Sequence, residues 1–303
     1  MRFILLGDLH YSVYQGENSK ENYAALREEF FDRLFQTVRA VRADVVIAIG
    51  DTTDNGLPEE FAGLHACAAR NEVDFITVNG NHDVLTLTKP ELSFYTGNRF
   101  PYYTRYFNPV TGQSDVTDPQ AARFLILDTP KERNPKDHGG YVGPEQLAWL
   151  TNQLIESGDK PLFAFGHHPV GWATRYANFP MLNIDNSKEV WRAFATRRKG
   201  NSFYFCGHNH ANSVTRRGNW HFIQTAAPLR TADFRLVEFT PGKVHMRTVP
   251  LLGGAATARL GNQLADALGD FSHFPARGFS RDRELVVPLG SSFAIPEGVV
   301  AKG

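Results

Sequence analysis

The chain has 303 residues, 42% of them hydrophobic, with 32 basic and 32 acidic side chains and a formal net charge of zero. Such a length holds one large domain or two small ones around a substantial core. Without an overall basic field there is nothing to draw nucleic acid or an anionic membrane, and no apolar run is long enough to span a bilayer, so neither is expected as a partner.

The first strand is expected at Arg2 to Gly7, which leaves no room for a cleavable leader and points to a cytoplasmic protein. Glu21 to Val41 carries helical apolar spacing, Asp44 to Ile49 reads as a buried strand, Pro58 to Arg70 as a helix and Val73 to Val78 as a strand, a βαβαβ order. Asn108 to Pro119 is a polar, Gly/Pro-punctuated loop. Pro144 to Glu156 is a helix with proline in its first turn, followed by a strand at Leu162 to Phe165 and a helix at Ser187 to Thr196. Short strands follow at Ser213 to Arg216, Trp220 to Gln224, Phe234 to Phe239 and Val244 to Val249, and their run predicts a second sheet. Gly253 to Asp270 has the composition of an amphipathic helix, and Phe271 to Phe279 is aromatic and irregular. Cys67 and Cys206 stand outside any CxxC pair and read as small core residues.

Five apolar runs end in metal-type side chains: Gly7-Asp8-Leu9-His10, Gly50-Asp51-Thr52-Thr53-Asp54, Gly80-Asn81-His82-Asp83, Gly166-His167-His168-Pro169 and Gly207-His208-Asn209-His210. Ligands of open α/β sheets gather at the carboxyl ends of strands, so these five turns would converge on one site. Carboxylate, imidazole and amide donors without thiolate suit Mn, Fe, Zn or Co.

These blocks, in this order, resemble the calcineurin-like metallophosphoesterase family, with every ligand position filled. Pro101-Tyr102-Tyr103-Thr104, Phe124 to Thr129 and Gly143 to Leu150 are similar to its class III cyclic-nucleotide and glycerophosphodiester phosphodiesterase branch. The resemblance implies an α/β fold, a four-layer α/β/β/α sandwich of two mixed sheets. It implies two divalent ions, one held by Asp8, His10 and His210, the other by Asn81, His167 and His208, with Asp51 bridging. A water held between them would attack phosphorus, and His82 would stabilise the transition state or protonate the leaving alkoxide. Asp83 is expected to hold the other ring nitrogen of His82. Of the His167-His168 pair, the family's H-x-P form selects His167. Asp54 is expected to support the loop or a ligand, and His65, His221 and His245 to be ordinary packed or solvated residues. His138, in a Gly-flanked loop, could approach a substrate.

The expected activity is therefore hydrolysis of a small phosphodiester, with a phosphomonoesterase as the near alternative and a non-catalytic scaffold as the distant one. Asn55 stands where protein phosphatases of the superfamily carry Arg, which disfavours a phosphoprotein substrate. Residues 1–250 would form the metallophosphoesterase domain. Residues 251–303 would form a C-terminal extension whose aromatic residues cover this subunit's sheet, cap the site or meet a second copy in a homo-oligomer.

Overall fold

The computed structural model describes residues 1–14, 23–114, 122–240, 242–268, 271 and 274–289. In chain order its first half contains β1 (Arg2–Leu6), α1 (Tyr23–Val41), β2 (Val45–Ala48), α2 (Pro58–Arg70), β3 (Ile76–Thr77), α3 (Lys89–Thr96), β4 (Tyr103–Phe107) and β5 (Ala122–Ile126). Then come α4 (Pro144–Glu156), β6 (Leu162–Phe165), α5 (Ser187–Ala195), β7 (Ser202–Cys206), β8 (Ser213–Arg217) and β9 (Trp220–Gln224). The remaining elements are α6 (Pro228–Thr231), β10 (Asp233–Thr240), β11 (Lys243–Pro250), α7 (Ala255–Ala267), α8 (Ser280–Arg283) and β12 (Glu284–Pro288). Residues 21 and 22 of the expected first helix, and 115–119 of the expected loop, lie outside the described residues.

The strands form two mixed six-stranded sheets, ordered β12-β11-β10-β1-β2-β3 and β4-β5-β6-β7-β9-β8. Strands β1, β2 and β3 run parallel, as do β5, β6, β7 and β9, while β10 pairs antiparallel with β1. The period of two in β1 shows why the layers stack. Phe3 and Leu5 point into the core between the sheets, whereas Ile4 and Leu6 point into the core beneath α1, α2 and α7. Likewise Phe203 and Phe205 of β7 face the other sheet, and Tyr204 and Cys206 face α4 and α5. The result is the α/β/β/α sandwich. At its centre the Phe3 ring meets Phe124, Phe163, Phe165 and Phe205 edge-on, with centroids 5.1–6.1 Å apart. Each such buried ring contributes roughly 1.5–3 kcal/mol by removal from water. This rigid aromatic floor lies under the strand ends that carry the polar motifs.

Strand β3 is shorter than Val73 to Val78, because only Ile76 and Thr77 pair with β2. Val73 and Phe75 instead pack with Phe35 and Leu64 in the helix-side core. Helix α3 was not expected. It begins on Thr88, whose hydroxyl accepts from Glu91 N while Glu91 Oε2 accepts from Thr88 N at 2.7 Å, a reciprocal cap. Beyond Pro250, α7 packs on α1 and α6, and β12 extends the first sheet through five paired residues with β11. Cys67 and Cys206 are buried free thiols, consistent with their reading as core residues.

Candidate metal centre

The motif residues occupy the turns that leave β1, β2, β3, β6 and β7, at the carboxyl ends of parallel strands of both sheets. The backbone there is unusual. His10, Asp51, His208 and His210 all adopt left-handed φ values, from 45° to 67°, which non-glycine residues take at a cost. Gly50 at φ 80° turns the chain into Asp51. Gly80 is fixed by proximity: a Cβ there would come within 2.0 Å of the Asp51 amide nitrogen. The two turns thus pack backbone to backbone, bringing the Asp51 and Asn81 side chains to one point.

Asp8, His10, Asp51, Asn81, His167, His208 and His210 come together as expected from the motifs. His10 Nε2 lies 3.0 Å from His210 Nε2 and 3.9 Å from Asp51 Oδ2, and His210 Nε2 lies 3.9 Å from Asp8 Oδ1. On the other side, His167 Nε2 lies 3.0 Å from both Asp51 Oδ2 and Asn81 Oδ1, and 3.2 Å from His208 Nδ1. Asp51 Oδ2 therefore sits between two clusters. Asp51 Oδ1 accepts from His82 N at 2.8 Å, which fixes the carboxylate.

Three of the four imidazoles are aimed by a bond at their far nitrogen. Asp54 Oδ1 lies 3.2 Å from His10 Nδ1, the Ile49 carbonyl 2.8 Å from His167 Nδ1, and the Met181 carbonyl 2.8 Å from His208 Nε2. Asp54 thus holds the far nitrogen of His10, and each ring directs its remaining nitrogen inward. His168 is a different case. Although its ring lies near His167 and His208, its Nδ1 is engaged by Thr129 Oγ1 and its Nε2 by the His138 carbonyl, each at 2.8 Å. Both nitrogens are in use for structure, so His167 is the member of the pair available to a cation.

The charges need a counter-ion. Burial pushes the Asp8 carboxyl up to about 6, with His167 opposing and Asp51 adding to the rise. Burial would also raise Asp51, but the imidazoles of His167, His82 and His10 hold it well below the carboxylate range. Burial disfavours a charge on His167, yet Asp51 and then Asp8 outweigh it and bring that imidazole up to about 9. Burial lowers His208 to about 3, reinforced by His167. Among the described residues, buried Asp8 Oδ2 has no hydrogen-bond partner. A His208 imidazole kept neutral by burial, an orphaned carboxylate oxygen and a second buried carboxylate all fit divalent cations at this place.

Asp83 departs from expectation. The contact between Asp83 and the His82 ring is not made: His82 Nδ1 lies 2.6 Å from the Asp54 carbonyl, while Asp83 points into the protein. Its Oδ1 accepts from Thr52 Oγ1, Thr53 N and Thr53 Oγ1, and its Oδ2 from Gly80 N, all at 2.8–3.0 Å. Which side of this turn each side chain takes is set by the neighbouring β2 turn, which adjacency in sequence could not convey.

A cavity of about 440 Å³ opens above the cluster, walled by His10, Asp51, Asp54, Asn55, Asn81, His82, His208 and His210. Leu85, Asn134, Pro135, His138, Leu182, Leu268 and Phe271 complete the wall. No Lys or Arg is among these described residues. His138 does reach the cavity. By contrast His65 stacks on Phe75, His221 stacks on Phe203, and His245 pairs with Glu284 and Glu238. Leu268 and Phe271 come from the C-terminal extension, for which capping the site was one of the expected roles, although no motif marks either residue.

Comparison with known proteins agrees with this architecture. Residues 1–212 match the family described as calcineurin-like phosphoesterase. A protein of Enterobacter lignolyticus named glycerophosphodiester phosphodiesterase GpdQ is 27% identical over 179 residues, 57% of this chain and 58% of that protein. One of Psychrobacter arcticus named "Probable cyclic nucleotide phosphodiesterase" is 21% identical over 189 residues, 61% of this chain and 65% of that protein. The chain thus spans under two thirds of these relatives. A dimetal phosphatase of Danio rerio superposes with a TM-score of 0.64 at 16% identity, over 83% of this chain and 98% of that one, which shows the shared fold. With more than half of its length matched and the motif side chains gathered at one place, the chain belongs to the calcineurin-like phosphoesterase family.

Proposed function

We propose that the protein is a binuclear metal-dependent phosphodiesterase acting on a small diester of the glycerophosphodiester or cyclic-nucleotide class. The observation that carries this reading is the cavity: five of the seven clustered metal-type donors, His10, Asp51, Asn81, His208 and His210, line it together with apolar side chains, and no Lys or Arg is among its described lining residues. Guanidinium and ammonium groups are the usual partners of a phosphate dianion. A monoester would bring that second negative charge beside Asp51 and Asp54, whereas a diester brings one charge and an extra ester group for Leu85, Leu182, Leu268 and Phe271 to cover.

Asp8, His10 and His210 would hold one ion and Asn81, His167 and His208 the other, with Asp51 shared. When bound, two such ions, drawn from Mn, Fe, Zn or Co by this donor set, supply positive charge to the phosphoryl oxygens and acidify a water. The chain's own part is positioning and proton control. A hydrogen bond from His82 Nδ1–H to the Asp54 carbonyl fixes the ring and leaves Nε2 as the nitrogen that meets the substrate. His82 then protonates the departing alkoxide. Asn55 and Asn134 offer neutral amide donors and acceptors to the rest of the substrate.

The test compares bis(p-nitrophenyl) phosphate with p-nitrophenyl phosphate on protein loaded with Mn, Zn or Co, followed by glycerophosphodiesters and cyclic nucleotides. A kcat/KM for the diester at least about tenfold above the monoester is expected, since one unpaired charge costs well over 1.4 kcal/mol. A monoester preference overturns the diester reading. Two bound ions with neither ester cleaved would identify a metal-binding scaffold.

A further inference from the structure

We propose that Phe271 is a positioning residue that orients His210 for metal binding, taking the place of the hydrogen bond that the other three imidazoles have. The inference rests on His210 being a metal ligand. Asp54, the Ile49 carbonyl and the Met181 carbonyl fix the rings of His10, His167 and His208. Among the described residues, buried His210 Nδ1 has no hydrogen-bond partner. An imidazole held at only one nitrogen can rotate about its χ2 torsion, and its metal-facing nitrogen moves with it.

What constrains that torsion is an aromatic face. The Phe271 ring lies 4.3 Å from the His210 ring at an interplanar angle of 29°, and meets the edge of His10 at 5.0 Å and 74°. His10 and His210 are themselves edge-to-face at 4.8 Å and 80°. The three rings form a closed cluster in which turning His210 would collide with one neighbour or abandon the other. Phe271 is itself fixed. It is 4% exposed, and the Arg230 guanidinium lies 5.3 Å from its centroid. Arg230 is anchored by Nη1 donating to Asp266 Oδ1 of α7 at 2.7 Å. A line of contacts thus runs from α7 through Arg230 and Phe271 to the ligand. Phe271 lies beyond residues 1–212, so the ring that steadies this ligand comes from chain outside the matched family segment.

The experiment measures metal binding, which keeps it separate from the choice of substrate. Metal-free wild type, Phe271→Ala, Phe271→Leu and Phe271→Tyr are titrated with Co(II), following heat and the visible ligand-field spectrum; thermal melts of the metal-free proteins report the fold. Phe271→Ala and Phe271→Leu should each weaken one of the two ions by about 10–100-fold, the usual effect of losing the group that orients a metal-bound histidine. The other ion and the metal-free melt should change little, and Phe271→Tyr, which keeps the ring face, should stay within about threefold of wild type. Unchanged constants in Phe271→Ala, or equal weakening of both ions with a lowered melt, would overturn the proposal. So would a Tyr variant as weak as Leu. A wild type that takes up no metal would instead refute the underlying ligand assignment.

Discussion

Replacing Asp83 by alanine should unsettle the fold around the metal centre more than it alters proton transfer. Asp83 is fully buried and its carboxylate accepts four hydrogen bonds, two of them from the backbone amides of Thr53 and Gly80. The Thr52 and Thr53 hydroxyls can rotate to other acceptors, but the two amides cannot. Each buried unsatisfied donor costs about 1–3 kcal/mol, so the pair costs roughly 2–6 kcal/mol. Burial and the nearby Asp51 charge raise the Asp83 pKa, so removing the carboxylate also relieves a desolvation cost. The net loss should fall near about 2–4 kcal/mol, a large part of the ~5–15 kcal/mol that holds a typical domain. Asp83→Asn, which keeps an amide oxygen for one side but turns an NH2 on the other, should lose about half as much. Urea unfolding of the metal-free proteins measures this directly, and because Thr53 and Gly80 flank Asp51 and Asn81, metal affinity should drop as well. A midpoint within about 0.5 kcal/mol of wild type, with turnover alone reduced, would refute the reasoning and restore a role for Asp83 through His82.

Asp51→Asn should lower metal occupancy and reduce turnover by at least about a hundredfold, because a neutral amide presents one oxygen where two clusters share a carboxylate; elemental analysis and diesterase rates check this, and two tightly held ions with near-normal rate would contradict it. Metal loading at pH 7–8 should release close to one proton from His167, whose pKa of about 9 keeps it charged until an ion displaces the proton. Calorimetry in buffers of different ionisation enthalpy counts that proton. The raised His167 pKa also means that, without metal, its ion pair with Asp51 contributes stability fully present below about pH 6.5 and lost as pH rises through about 9. A metal-free melt independent of pH over that window would remove the ion pair from the account.

The convergence of the Asp, Asn and His motifs was legible because strand ends carry them. A buried run followed by a turn with Asp, Asn or His locates a side chain at the sheet's carboxyl edge, and the five runs needed no distant information to be recognised. What resisted reading lay in directions and in elements with few core contacts. Asn81, His82 and Asp83 are adjacent, yet the carboxylate turns inward to Thr52 and Thr53, a choice made by the neighbouring β2 turn. Helix α3 buries only Leu92, too little for a helical period, although its Thr88 and Glu91 cap was visible as T-x-x-E. Strand β12 has one buried residue, Val287, and exists by pairing with β11. Phe271 touches His10 and His210 only through three-dimensional packing, and no pattern along the chain announces that.

Strand β1 lies between β2 and β10, and the Met1 ammonium donates to the Phe239 carbonyl across a separation of 238 residues. His10 and His210 meet across 200. During synthesis, therefore, the strand that delivers Asp8 and His10 has one edge unpaired until β10, at Asp233–Thr240, has been made. Joining the two halves of the donor cluster requires long-range contacts, the kind that slows folding. A metal ion added to the growing chain would meet only scattered ligands, whereas added to the finished sheet it would meet them together. An ion bound at the proposed site would therefore stabilise a topology that the aromatic floor has already assembled.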